Sequence, residues 1–449
     1  MIANLRSPAM TQRVVRAGWL AVFGAVLAVP VAVRLATSGP LPLWSQLADI
    51  TGLLALSGLV CAAVLPSRVR SLTRAFGIED ILDVHRFLGI ASAVLVLLHL
   101  AAVLAMNPAQ VALLDPALNG PPAKAASVAT AALVMLVVLA AARRRLEQRY
   151  EVWRWIHVLL AITTLAGSAL HVLWLNHLIN EPALYTIFIL LALAVTGVLA
   201  HRWVWRTLLD PSTEFVVAQV RRESPTVTTV SLAARNGDAD DSWDFAPGQF
   251  AWLRLTRSVT AEEHPFTIAS SPHLPGRVEF TIRNAGDFTR GINRLKPGQP
   301  VWVDGPHGSF TSDVSSVEGV VMIAGGVGIT PMMSMVRAAA DRRDPRPHRL
   351  VVVARNHEDL LFRAELGWLR EDLDLEITEV LRRPHPGCEG ATGEINVGML
   401  AAVLGTDHEP AQLDYFLCGP PGLIHDTLEA LAALGVPEHR VHTEQFDMA

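Results

Sequence analysis

Cysteine is scarce. Only Cys61, Cys388 and Cys418 occur in 449 residues, with no CxxC pair and no plant-type ferredoxin spacing. That argues against a protein-bound iron–sulfur cluster and against a disulfide framework. Lysine is almost missing too, with Lys124 and Lys296 standing against plentiful arginine; we read this as base composition rather than function. No basic tract marks a nucleic-acid surface, and the net charge of −5 is ordinary. The first apolar run lacks a convincing small-x-small cleavage site, so it reads as a retained helix rather than a signal peptide.

Apolar residues are in excess and unevenly spread. They make up 51% of the chain and dominate its first 206 residues. Six runs are long enough to cross a bilayer, near 17–36, 46–65, 83–106, 125–142, 155–176 and 183–205. Arginines cluster in alternate connections: Arg68, Arg70 and Arg74; then Arg143, Arg144, Arg145, Arg149 and Arg154; then Arg202 and Arg206. Arg6, Arg13 and Arg16 precede the first run, and the other connections hold only Lys124. The excess of positive charge on one side predicts a multi-pass protein of the cell membrane with both termini cytoplasmic and the lipid bilayer as partner. The outer connections leave no room for an external domain.

Two of the runs carry histidines at one spacing. His85 and His99 are fourteen residues apart, as are His157 and His171. Fourteen residues are almost four helical turns, so each pair shares a face with a rise of roughly 21 Å. Imidazole in hydrocarbon is costly unless paired or ligating. A single membrane histidine is most simply an interhelical hydrogen bond; the repeated register favours two stacked sites, His85 with His157 and His99 with His171. Zinc needs four ligands in one place and does not fit. Haem iron, with one axial ligand on each face, does. His177 and His201 lack partners in register and read as interfacial. Arg86 could meet a haem propionate or snorkel to the interface.

Beyond Glu214 the pattern changes. EFVVAQVRRE, TVTTVSLAA, QFAWLRLT, HPFTIASS, RVEFTIRN and QPVWVDGP read as the strands of an antiparallel barrel. From about Val317 strands alternate with helices, which predicts a parallel sheet with a crevice at its carboxyl edge. The fold class is thus multidomain: a six-helix transmembrane bundle over 1–206, an antiparallel β-barrel over 210–313 and an α/β nucleotide-binding domain over 314–449.

AlaGlyGlyValGlyIleThrPro at 324–331 follows a hydrophobic strand and opens a helix, and CysGlyProPro at 418–421 ends another strand. Glycines there let backbone approach a pyrophosphate. With HisProPheThrIleAlaSerSer at 264–271 and IleArgAsnAlaGlyAspPheThr at 282–289, the soluble half resembles the ferredoxin–NADP reductase superfamily. The whole chain, over roughly 46–446, resembles the transmembrane ferric reductase and NADPH oxidase family.

That resemblance implies FAD, two b-type haems, and NADPH or NADH as substrate. It places Phe266 on the isoalloxazine, Thr267 at the flavin edge beside Pro265, and Arg283 and Thr289 on the flavin phosphates. His264 stands where the superfamily usually has arginine. Gly325, Gly326, Gly328, Thr330 and Pro331 would line the nucleotide phosphates, and Cys418, Gly419 and Pro420 the nicotinamide. Arg355 would favour NADPH, although Glu358 and Asp359 follow it. Phe446 would cover the flavin. The metal ligands would be His85, His99, His157 and His171, with no acid–base catalytic residue to seek. The implied function is electron transfer from cytoplasmic NAD(P)H through FAD and two haems to an external acceptor, a ferric iron complex first. Superoxide formation from oxygen, or supply of a periplasmic redox partner, are the alternatives, and a non-enzymatic membrane sensor is the reading of another class.

Overall fold

A computed structural model describes residues 8–106, 111, 120–146, 150–175, 178, 180–235, 243–274, 276–314, 318–383, 390–405 and 409–444. Cys388, His177 and Phe446 lie outside the described residues. Contacts divide the chain into Arg13–Trp205 and a second unit of Met1–Gln12 with Arg206–Ala449.

The first unit is helical. Its elements are α1 (Pro8–Thr37), α2 (Leu43–Val64), the short α3 (Arg70–Phe76), α4 (Ile78–Met106), α5 (Pro121–Leu146), α6 (Tyr150–Trp174) and α7 (Pro182–Ala200). Among the described residues, six helices are long and apolar enough to cross a membrane, and they match the six runs. α3 was not legible in the sequence, being only two turns long. A π-helical stretch, His201–Leu209, carries α7 onward. Side chains on α2 and α6 are small where helices meet: a β-carbon on Gly58 would strike Ser92 Oγ at 2.5 Å, and one on Gly167 would meet Ala129 Cβ at 3.0 Å. Small residues let apolar helices approach closely, because packing and not water drives their association. Arg34 Nε donates to Asp49 at 2.7 Å, which pairs a charge on α1 with one on α2.

The second unit holds two six-stranded sheets. The first contains β1 (Glu214–Ser224), β2 (Val227–Ala234), β3 (Phe250–Arg254), β4 (His264–Thr267), β5 (Arg277–Arg283) and β6 (Pro300–His307), in the order β4-β3-β6-β1-β2-β5. Every pairing is antiparallel. All six strands fall on the six segments read from the sequence. The sheet is open and not a closed barrel: its edge strands are not paired in a ladder, and the segment after β4 meets β5 through the isolated Ile268–Phe280 bridge and the Ala269 N–Glu279 O hydrogen bond of 2.8 Å. β4 is four residues long and contains Pro265, which has no N–H to donate, and that limits pairing at this edge. Helix α8 (Asp287–Ile292) follows β5.

The second sheet contains β7 (Val320–Gly325), β8 (His348–Ala354), β9 (Leu375–Leu381), β10 (Ala391–Thr392), β11 (Asp414–Cys418) and β12 (Val441–Glu444), in the order β10-β9-β8-β7-β11-β12, all parallel. β10 and β12 are short and were not anticipated. The crossovers are α9 (Ile329–Arg342), α10 (Arg363–Asp372), α11 (Val397–Leu404) and α12 (Pro421–Ala433). β7, β8 and β11 are buried along their whole length, as strands covered on both faces must be. From β7 the chain builds outward to β8, β9 and β10, then returns to add β11 on the other side. The strand order therefore reverses between β7 and β11, where open parallel sheets leave a ligand crevice.

Candidate functional site

In the helical unit the four histidines face each other in the expected pairs. The His85 and His157 ring centres are 6.0 Å apart, and those of His99 and His171 are 6.5 Å apart. Bonds from a metal to imidazole nitrogen are about 2 Å, and a ring centre lies about 1 Å behind its ligating nitrogen, so two imidazoles across one ion stand ~6 Å apart. Both pairs have that separation. His85 Nδ1 lies 2.9 Å from the Ala62 carbonyl, His99 Nδ1 2.8 Å from that of Ala48, and His171 Nδ1 2.9 Å from that of Pro122. A carbonyl oxygen only accepts, so each Nδ1 carries the proton and Nε2 keeps its lone pair for a ligand. Such an outer hydrogen bond is how ligating histidines are generally oriented. Gly52 makes room for one ring, since a β-carbon there would sit 2.9 Å from His99 Nδ1. These residues fit haem. Arg86 donates to Asp83 on its own helix at 2.8 Å, with both side chains exposed.

The antiparallel sheet gathers the flavin candidates. His264, Pro265, Phe266 and Thr267 form β4, Arg283 ends β5, and Thr289 lies in α8. The Phe288 ring centre is 4.3 Å from that of His264 and 6.1 Å from that of Phe266, so three rings form one cluster. Phe288 belongs to the 282–289 segment, and nothing in the sequence marks it as a member of a ring cluster. Thr267 Oγ1 is buried and, among the described residues, has no hydrogen-bond partner. A buried hydroxyl left in that state costs free energy unless a ligand satisfies it, and a flavin edge fits. Thr289 Oγ1 accepts from the N–H groups of Ala285 and Gly286 at 2.9 Å, so it shapes the turn before α8.

The nucleotide candidates meet at the β7/β11 switch point. Gly325 ends β7; Gly326, at φ +57°, makes the left-handed turn that follows, and its open face lies against the Arg283 guanidinium. Gly328 and Gly325 press on Cys418 and Gly419, which brings the two glycine-bearing loops together as the motifs implied. Thr330 Oγ1 donates to Val327 O at 2.9 Å and starts α9 beside the buried Pro331. Pro420 precedes α12, and Cys418 is fully buried among Phe416, Ala324 and Met332. Arg355 follows β8 and is exposed. Its carbonyl accepts from Arg383 N at 2.9 Å, so a second arginine, missed in the sequence, stands at the same sheet edge. Arg337 of α9 reaches back to the first sheet, donating to Ala269 O at 2.6 Å and pairing with Glu279 at 3.3 Å and Glu365 at 2.6 Å.

Three family models match in succession: a ferric reductase like transmembrane component over residues 51–168, an FAD-binding domain over 227–310 and an oxidoreductase NAD-binding domain over 322–429. The reductase component of a propane 2-monooxygenase from Mycolicibacterium goodii is 31% identical over 210 residues, 45% of this chain and 60% of that one. A flavohemoprotein from Bordetella pertussis (strain Tohama I) is 28% identical over 245 residues, 52% of this chain and 60% of that one. Ferredoxin–NADP reductase B from Sorangium cellulosum (strain So ce56) is 32% identical over 238 residues, 51% of this chain and 95% of that one. The chain thus spans only 60% of the length of the first two relatives.

Proposed function

Because the chain belongs to the ferric reductase and NADPH oxidase family, a ferric reductase like transmembrane component joined to FAD- and NAD-binding domains of the ferredoxin–NADP reductase type, we propose that it moves electrons across a membrane. The donor is cytoplasmic NAD(P)H and the acceptor an external ferric complex. In this reading 1–206 is the haem domain, 210–313 the FAD domain and 314–449 the NAD(P) domain. FAD in the second domain would supply the exchange between two-electron hydride and one-electron chemistry, and two b-type haems held by the histidine pairs would supply one-electron carriers.

The residues then have these tasks. Gly325, Gly326 and Gly328 let backbone close on the nucleotide phosphates, and Gly419 and Pro420 hold the nicotinamide side of the crevice. Arg355 and Arg383 receive a 2′-phosphate. Thr267 donates its hydroxyl to the flavin edge, and Phe266 packs on the ring. His85, His157, His99 and His171 present Nε2 to iron. The arginine-rich connections set both termini inside, so the His85–His157 site is the inner one. The observation that carries this reading is the pair of facing imidazole couples, 6.0 and 6.5 Å apart, at one four-turn repeat.

The test is vectorial. Right-side-out vesicles loaded with NADPH should reduce a membrane-impermeant ferric chelate outside. His171→Ala should abolish that reduction while NADPH still reduces the flavin. Undiminished external reduction in this variant, or a full haem complement in all four single histidine-to-alanine variants, would overturn the reading.

A further inference from the structure

Three of the four facing histidines are held alike. His85 and His99 of α4 donate Nδ1–H to Ala62 and Ala48 of α2, carbonyls that are themselves fourteen residues apart, and His171 of α6 donates to Pro122 of α5. His157 breaks the pattern. One repeat on from Pro122, α5 offers the carbonyl of Leu136, yet among the described residues no hydrogen bond reaches the His157 ring. That ring packs instead on Trp153, one turn earlier on α6, with centres 5.1 Å apart and planes 34° from parallel. Trp153 is itself clamped. Tyr150 stacks on it at 6.0 Å, and the Arg143 guanidinium of α5 lies 4.7 Å from its ring centre and 5.1 Å from that of Tyr150. A cation over two aromatic faces holds both rings in place.

We propose that Trp153 is the positioning residue for His157, an inference that rests on the haem-ligand reading above. Ring contact sets the imidazole plane here, where a hydrogen bond to a helix carbonyl sets it at the other three positions. The difference has a chemical consequence. A carbonyl-bound Nδ1–H fixes the tautomer and makes the imidazole a stronger donor to a metal. The tilted ring contact fixes the plane and leaves Nδ1 uncommitted. The two sites, identical in spacing, therefore differ in how one axial ligand is held, and the His85–His157 site depends on an indole and an arginine that the His99–His171 site does not need.

The test uses the full chain purified with its haems. Haem content, low-spin electron paramagnetic resonance and a redox titration are measured for Trp153→Ala, Trp153→Phe and His157→Ala. Trp153→Ala should retain the His99–His171 signal and its midpoint, while the other signal shifts or broadens and its midpoint moves; Trp153→Phe should restore both toward the parent. If Trp153→Ala does not accumulate, Arg143→Gln, which removes the clamp and spares the rings, should shift that same signal alone. Unchanged signals and potentials in these variants, alongside a haem missing from His157→Ala, would overturn the proposal. A His157→Ala protein with both haems intact would instead overturn the ligand assignment on which it rests.

Discussion

A β-carbon added to Gly328 would lie 2.3 Å from the carbonyl oxygen of Cys418. The loop after β7 and the end of β11 are therefore in backbone contact, and the floor of the crevice has no space for a side chain. Gly325 is crowded by the same turn, since a β-carbon there would lie 2.8 Å from Pro420 Cδ, and one on Gly419 would lie 3.1 Å from the Gly325 nitrogen.

Gly328→Ala should force these two segments apart. Overpacking of this kind costs about 1–3 kcal/mol, and misplacing the nucleotide by that much energy should slow hydride transfer to the flavin by roughly tenfold or more. Stopped-flow bleaching of the flavin by NADPH checks this, with flavin content unchanged. A variant reduced at the parent rate would show that the crevice floor does not seat the nucleotide.

Thr267→Val keeps the shape of the side chain and removes the hydroxyl. A single hydrogen bond contributes about 0.5–1.5 kcal/mol net, so FAD should bind roughly two- to tenfold more weakly. Thr267→Ser should bind like the parent. Titration of flavin-stripped protein by fluorescence reads this directly, and equal affinity in Thr267→Val would remove Thr267 from the site.

Arg355→Ala and Arg383→Ala should each raise KM for NADPH about tenfold or more, the scale of one charge-assisted hydrogen bond. KM for NADH and kcat with either nucleotide should not move. Equal losses for both nucleotides would place these arginines outside 2′-phosphate recognition.

His348, at the start of β8, is 4% exposed, and burial pulls its pKa below the ordinary value, although Asp344 opposes this. His442 on β12 is shifted the same way, again chiefly by burial. Both are favoured neutral in the folded chain, so their stabilisation is complete above about pH 6.5, the ordinary value for histidine. It is lost as the pH falls from there through the depressed folded values. Hydrogen exchange at β8 should accelerate on acidification through this window, and His348→Gln should flatten the dependence. A parent protein with no change between pH 7 and pH 5 would contradict it.

Much of the site was legible because it follows from period and position. The six spans, the histidine register and the strand-end glycine loops are each set by one local pattern, and the structure has them where the sequence put them. What was not legible depends on contacts between distant segments. Nothing in the composition of α2 marks the carbonyls of Ala48 and Ala62 as acceptors, since every residue has one. The Trp153–His157 contact is a one-turn neighbour relation indistinguishable from any interfacial tryptophan until the missing fourth hydrogen bond is seen. Phe288 and Arg383 gain their places only when β4 meets α8 and β8 meets β9. The open edge of the first sheet follows from where Pro265 falls, a detail that strand periodicity does not carry.

The matched spacing on α4 and α2 also constrains chain length. Donors at His85 and His99 and acceptors at Ala62 and Ala48 share one interval, and an α-helix turns about 100° per residue. One residue inserted anywhere in 86–98 would swing His99 by that angle, away from Gly52 and from His171, while leaving His85 in place. The segment can thus exchange one apolar side chain for another, but it cannot gain or lose a residue, so insertions and deletions should be tolerated in the connections and purged from between the histidines.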